Sequence, residues 1–179
     1  SLLWMMHNTG QLPQQTGLSW ADGAAPWNDT YVCADGLYVN ICALEPKFYQ
    51  LLLEHLELLH EPSLRNQWDK TMWPQAQQEL TRVFASQSRQ HWCALLEGTD
   101  VCFAPVLSFN EATEHPHNLA RNTFVQLEGI TQPAPAPKMG HVQRSLKPVP
   151  EAAQHTLELL DQLGLPDAQV RQLQKDGVV

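Results

Sequence analysis

Apolar positions along this chain change their spacing several times, and each change predicts an element. Residues 1–29 mix Gly, Pro, Gln, Asn and Trp without a steady period, which reads as an extended connector. Order begins at residues 30–34, a β-prone run followed by Asp35-Gly36 and by a second β-prone run over 37–44. Asp-Gly between two such runs predicts a hairpin in which both turn positions take positive φ. Pro46 suits the first turn of a helix, and Phe48, Leu52, Leu56 and Leu59 continue it as one apolar stripe. A second helix opens at Pro74, with Ala76, Leu80, Val83 and Phe84 on one face. Ser88 can cap a third, which runs through Trp92, Leu95 and Leu96 and stops at Gly98 in the left-handed position.

Beyond Gly98 the period shortens. Residues 101–107 predict a short strand, and Pro105 within it favours a sheet edge or a bulge. Ser108 and Glu111 have capping-box spacing, so a brief helix is expected next. Residues 123–127 predict another strand, ending at Glu128-Gly129. Pro133, Pro135 and Pro137 alternate with alanine into a stiff polyproline connector. Two helices follow, over 151–163 before Gly164 and over 167–175 after Pro166. The class is therefore α+β. A small domain over 30–107, built of a β-hairpin, short strands and helices, is flanked by an outgoing arm over 1–29 and a return arm over 108–140. A helical tail occupies 141–179. Such a tail cannot bury its apolar stripe alone and is expected to dock elsewhere.

Charge narrows the function classes. The 179 residues carry 11 basic and 19 acidic side chains, a formal net charge of −8. Phosphate contacts need clustered Lys and Arg, so a nucleic-acid binder is disfavoured, as is a protein held on anionic membrane surfaces. Apolar runs such as Leu51-Leu52-Leu53 fall far short of the ~20 residues that span a bilayer. Charged residues make up only 17%, against about 25% in typical domains, while six Trp and thirteen Pro are generous. Such a chain often has its surface covered by something else. Cys33, Cys42, Cys93 and Cys102 show no CxxC spacing and sit among apolar neighbours, the pattern of buried free thiols in a reducing compartment. No secretory leader is visible at Ser1, and no initiator Met either. The expected location is cytoplasmic in a bacterium, and mitochondrial or peroxisomal in a eukaryote.

Few residues carry candidate chemistry. His115 and His117 flank Pro116, but no carboxylate or thiol completes a metal site, and two loop histidines suffice as the explanation. There is no Gly-rich phosphate loop, no GxSxG and no HExxH. Asp100 and Asp29 both suit turn-forming roles. Glu45 stands apart, because it lies where a hairpin strand becomes a helix. A carboxylate there can cap the helix, stabilised by its dipole and free N–H groups, or be aimed into a cleft as part of a site. Both readings stay open on the residues alone.

Several stretches together resemble one family. Asp22-Gly23-Ala24-Ala25-Pro26-Trp27-Asn28-Asp29-Thr30-Tyr31 is similar to its D-G-G-A-P-aromatic-x-D-T-Y segment. Ala34-Asp35-Gly36, followed by Ala43-Leu44-Glu45-Pro46-Lys47-Phe48-Tyr49, is similar to its A-D-G and A-L/I-E-P-x-F-Y runs. Gly98-Thr99-Asp100-Val101-Cys102-Phe103-Ala104-Pro105-Val106-Leu107 resembles G-T-D-A-C-hydrophobic-x-P-V-L. The family is the class III CoA-transferases of the CaiB/BaiF type, and within it the α-methylacyl-CoA racemases. The likeness covers nearly all of this chain but only about the second half of a full-length member.

That resemblance implies an interlocked homodimer in which each subunit has a large Rossmann-like domain and a small α+β domain. Residues 1–29 and 108–140 would be the arms between them, and 141–179 would pack on the large domain. It implies inversion at C2 of a 2-methylacyl-CoA thioester through an enolate, with the thioester as substrate and no further cofactor. The alternatives are another class III CoA-transferase, moving CoA between carboxylates, or a non-catalytic dimerisation or binding module. The family's His/Asp acid–base pair and most CoA contacts belong to the first half, so the fragment alone is expected to be inactive. The resemblance makes Glu45 a supporting site residue that orients the catalytic His of the other half. Cys42 and Ala24 stand where glycines are usual, and Asn40 where a small apolar residue is usual, which puts substrate preference in question.

Overall fold

In the computed structural model, which describes residues 2–12, 14–140 and 146–179, the first elements are helix α1 (Leu2–Asn8) and strands β1 (Asn28–Val32) and β2 (Tyr38–Cys42). Helices α2 (Pro46–His55), α3 (Trp73–Phe84) and α4 (Arg89–Leu96) follow, and then strand β3 (Phe103–Val106). β1 pairs antiparallel with β2, and β2 with β3, in the order β1-β2-β3. Pro105 is therefore on an edge strand, where its missing N–H breaks no ladder. The hairpin forms where Asp35-Gly36 predicts it, but its turn differs. Among the loop residues only Gly36 has positive φ, at 77°. Gly36 N–H donates to Cys33 O and Cys33 N–H to Leu37 O, so a type I turn is closed by one left-handed glycine. Asp35 braces the loop by accepting from the N–H groups of Leu37 and Arg89.

Strand alternation sends Tyr31, Val39 and Ile41 to the core and leaves Val32, Tyr38 and Val106 exposed on the opposite face. Helices cover the buried face. α3 packs on β1 and contributes Ala76, Leu80 and Phe84; α4 packs on β2 and β3 and contributes Trp92 and Leu96. Phe84 is the centre of this layer, stacked on Tyr31 at 5.0 Å and meeting the edge of Trp92 at 5.2 Å. Ser88 caps α4 by accepting from His91 N–H, and Gly98 takes φ 80° beyond its end, as the sequence predicts.

A second focus surrounds Trp27, which is fully buried. Trp20 stacks on it at 6.1 Å, and Trp68 and Trp73 meet it edge-on at 4.9 and 6.5 Å. Gln67 ties this cluster together with both of its amides. Its backbone carbonyl accepts from the indole N–H groups of Trp27 and Trp73, each at 3.0 Å. Its buried side chain donates to the carbonyls of Ala43 and Leu44 at 2.8 and 2.9 Å.

Several expectations are corrected. Residues 1–29 are not uniformly extended: Leu2–Asn8 is helical, and Ala25 and Trp27 lie in the core. The run Leu2-Leu3-Trp4-Met5-Met6 is apolar on every side, so it shows no period although no breaker interrupts it until Thr9-Gly10. The α2 stripe ends sooner than its spacing suggests. Glu57 adopts φ 59°, the chain turns, and Leu58 rather than Leu59 reaches the core. The thiols are not all buried either: Cys33 is buried and Cys93 half-buried, whereas Cys42 and Cys102 are exposed. Cys42 falls on the outward side of the β2 pleat, and Cys102 lies just before β3 with a left-handed φ of 55°, exposures that their apolar neighbours conceal.

The residues divide into two compact units, Ser1–Phe109 and Asn110–Val179. After the brief helix α5 (Phe109–Glu114), the second unit holds α6 (Pro116–Ala120), β4 (Phe124–Leu127), β5 (Ile130–Pro133), α7 (Thr156–Gln162) and α8 (Asp167–Lys175). Here Glu128 and Gly129 both take positive φ, 52° and 80°, and join β4 to β5 in a tight hairpin. β5 has no counterpart in the sequence reading, because Pro133 draws it into the proline run that follows. Helix α7 starts later than residue 151, after Ala153 with φ 66°. The beginning of the tail, residues 141–145, lies outside the described residues. Neither α7 nor α8 buries a residue, and Leu157, Leu159 and Leu163 are exposed.

Two variants test this packing. Phe84→Ala should cost about 3–5 kcal/mol of unfolding free energy, read as a lower denaturant midpoint. Gln67→Ala should cost about 1–3 kcal/mol, because the buried carbonyl of Ala43 and the half-buried carbonyl of Leu44 lose their donor. Gln67→Glu keeps the shape but sets acceptors against acceptors, so it should destabilise more than the alanine.

Candidate functional site

Glu45 sits at the handover from β2 to α2, and every peptide leading to it is tied down. Cys42 N–H donates to Cys102 O at 2.9 Å, and Ala43 N–H to Trp27 O at 2.9 Å. Gln67 holds the carbonyls of Ala43 and Leu44. The Glu45 carbonyl then accepts from the N–H groups of Phe48 and Tyr49, both at 3.0 Å, which starts the helix. Pro46 follows as the first helical residue.

The Glu45 side chain does something else. Its backbone is extended, φ −75° and ψ 139°, and its carboxylate makes no capping hydrogen bond. The side-chain cap is thus not realised, and the exposed carboxylate is carried on a fixed backbone. It is close enough to Cys102 to act on it. Burial raises the Cys102 thiol above its ordinary range, and the charges of Glu45, Cys42 and Asp100 push in the same direction. These four groups form one cluster at the end of β2 and the entry to β3. Such a carboxylate can accept a hydrogen bond from an imidazole and favour its charged form.

The remaining candidates fall elsewhere. Asp29 fastens β1 to α3, accepting from Thr30 N–H at 2.6 Å and from Gln77 Nε2 at 2.8 Å, rather than shaping a turn alone. His115 precedes α6 without capping it through its side chain, and His117 is exposed within that helix. Among the described residues, no group of three or more His, Cys, Asp or Glu is arranged to hold a metal ion. Asn40 is satisfied across the sheet, donating to Asp29 O and Thr30 Oγ1 at 3.1 Å each, so its polarity is absorbed within β1 and β2. Gln67 is the residue that sequence reasoning missed. It lies in Asn66-Gln67-Trp68, between helices, where no period or motif marks a buried amide. Among the described residues, no helix is long and apolar enough to cross a membrane.

Comparison with known proteins agrees with this architecture. Residues 1–156 match the model of CoA-transferase family III. Over its whole length the chain is 37% identical to an α-methylacyl-CoA racemase of Mus musculus and 34% identical to one of Homo sapiens. It covers 48% and 47% of those two proteins, so it spans about half the length of the curated relatives it matches. Among solved structures, Rv3272 from M. tuberculosis in an orthorhombic form superposes with a TM-score of 0.61 at 19% identity. That match takes in 86% of this chain and 40% of the other, and at such identity it speaks to the fold alone. With its family model matched over most of its length and two relatives above 30% identity, the chain belongs to CoA-transferase family III.

Proposed function

We propose that this chain is the C-terminal part of an α-methylacyl-CoA racemase, an isomerase that inverts C2 of 2-methylacyl-CoA thioesters. The observation that carries the reading is the identity to two mammalian racemases along the entire chain. A base removes the C2 proton, the thioester carbonyl carries the developing enolate, and an acid on the opposite face returns a proton. The acid–base pair would come from the N-terminal half of the same protein. Glu45 would serve as a positioning residue, its unengaged carboxylate orienting the catalytic imidazole and stabilising its charged form. The rigid peptides on either side of Glu45 suit that task, since orientation is effective only when the supporting backbone holds still.

The exposed apolar residues favour a larger assembly. Leu2, Leu3, Trp4 and Met5 of α1 and Leu157 and Leu163 of the tail are surfaces that a missing half and a second subunit would cover. A homodimer acting on an acyl-CoA fits those surfaces and the low charge of the chain. The second reading, transfer of CoA between carboxylates, draws on a 27% identical acyl-CoA transferase of Fusarium pseudograminearum aligned to 56% of the chain.

One experiment separates these readings. The full-length protein should epimerise a single enantiomer of a 2-methylacyl-CoA in deuterated water and place deuterium at C2, while the 179-residue chain alone should do neither. CoA transfer to a free carboxylate without exchange at C2 would assign the transferase instead. Exchange by the isolated chain would contradict the placement of the acid–base pair in the other half.

A further inference from the structure

Two thiols beside Glu45 have no part in the proposed proton transfer. Cys42 and Cys102 are exposed, in contrast to Cys33 and Cys93. Their backbones also meet. β2 and β3 pair as far as Ile41 across from Phe103, and just beyond that pair Cys42 N–H donates to Cys102 O at 2.9 Å. Cys102 lies just before β3 with φ 55°, off the extended ladder, so it is this backbone bond to Cys42 that holds the two residues side by side. A disulfide needs Cα separations of about 4.4–6.8 Å, a range within reach of two residues joined by a backbone N–H···O bond. Ile41 is fully buried and Phe103 packs against the core, whereas Cys42 and Cys102 beyond them are both exposed. The thiols also interact electrostatically: after burial and Glu45, Cys42 is the next contributor that raises Cys102.

We propose that Cys42 and Cys102 are a modification site, forming a reversible intramolecular disulfide by exchange with a small disulfide oxidant of the oxidised-glutathione type. One cysteine thiolate attacks a sulfur of the oxidant, giving a mixed disulfide and releasing one small thiol. The second cysteine thiolate then attacks the protein-side sulfur and releases the other. Two protein thiols give up two electrons and two protons, and the oxidant's S–S bond is reduced to two thiols. The raised thiol of Cys102 makes the exchange faster as the solution becomes more alkaline, since the thiolate is the reacting form. The bridge would pin the end of β2 to the entry of β3, three residues before Glu45. Oxidation state would thus be read next to the exposed carboxylate, whatever reaction the assembled protein performs.

The test uses the full chain incubated with oxidised glutathione, followed by non-reducing peptide mapping and titration of free thiols after denaturation. The expected result is a linked Cys42–Cys102 peptide and a loss of two titratable thiols per chain, both reversed by dithiothreitol. Cys42→Ser and Cys102→Ser, at exposed positions that should not disturb folding, should each lose the linkage and carry one glutathione on the remaining partner. The proposal is overturned if the unsubstituted chain carries separate glutathiones on Cys42 and Cys102. It is equally overturned if both thiols stay free under oxidant that modifies either single variant.

Discussion

The small domain depends on one buried amide. Gln67 accepts two indole N–H groups with its backbone carbonyl and offers both side-chain hydrogens to the carbonyls of Ala43 and Leu44. A net hydrogen bond contributes only about 0.5–1.5 kcal/mol, but leaving a buried carbonyl unpaired costs about 1–3 kcal/mol. The arrangement is therefore decided by what would be left unsatisfied. Trp27 and Trp73 cannot enter the core without a partner for their N–H groups, and the chain cannot leave β2 without a donor for the carbonyls of Ala43 and Leu44. Gln67 answers both needs from a loop, so one residue couples the tryptophan cluster to the strand end that carries Glu45.

This coupling explains why Glu45 is both rigid and exposed. The peptides before it are bonded to Trp27, Cys102 and Gln67, and its own carbonyl starts α2. With the backbone satisfied this way, the helix begins without the carboxylate, which points outward beside Cys42 and Cys102. A side-chain cap would have consumed the charge. Its absence leaves the carboxylate exposed rather than spent on the helix start.

Much of this was legible in the sequence, and the limits have physical causes. Periodicity and punctuation mark α3, α4 and the β1–β2 hairpin because Pro74, Ser88, Gly98 and Asp35-Gly36 act locally. Glu45 is visible because a strand pattern turns into a helix pattern on either side of it. Whether its carboxylate caps the helix depends on contacts from the backbones of Trp27 and Cys102 and the side chain of Gln67, which no local pattern encodes. Gln67 escapes for the same reason: its four bonds reach residues 27, 43, 44 and 73. The end of α2 at a left-handed Glu57 and the strand β5 before Pro133 defeat pattern reading differently, since the residue types argue against the conformations they adopt.

The central proposal is that a fixed backbone presents the Glu45 carboxylate to the proposed racemase reaction. It is tested most directly by Glu45→Gln in the full-length protein, measured as the rate of deuterium incorporation at C2 of a 2-methylacyl-CoA. The account predicts a fall of roughly 10–10²-fold, with the oligomeric state and the denaturant midpoint unchanged. An unchanged exchange rate would contradict it and return Glu45 to a purely structural place at the start of α2.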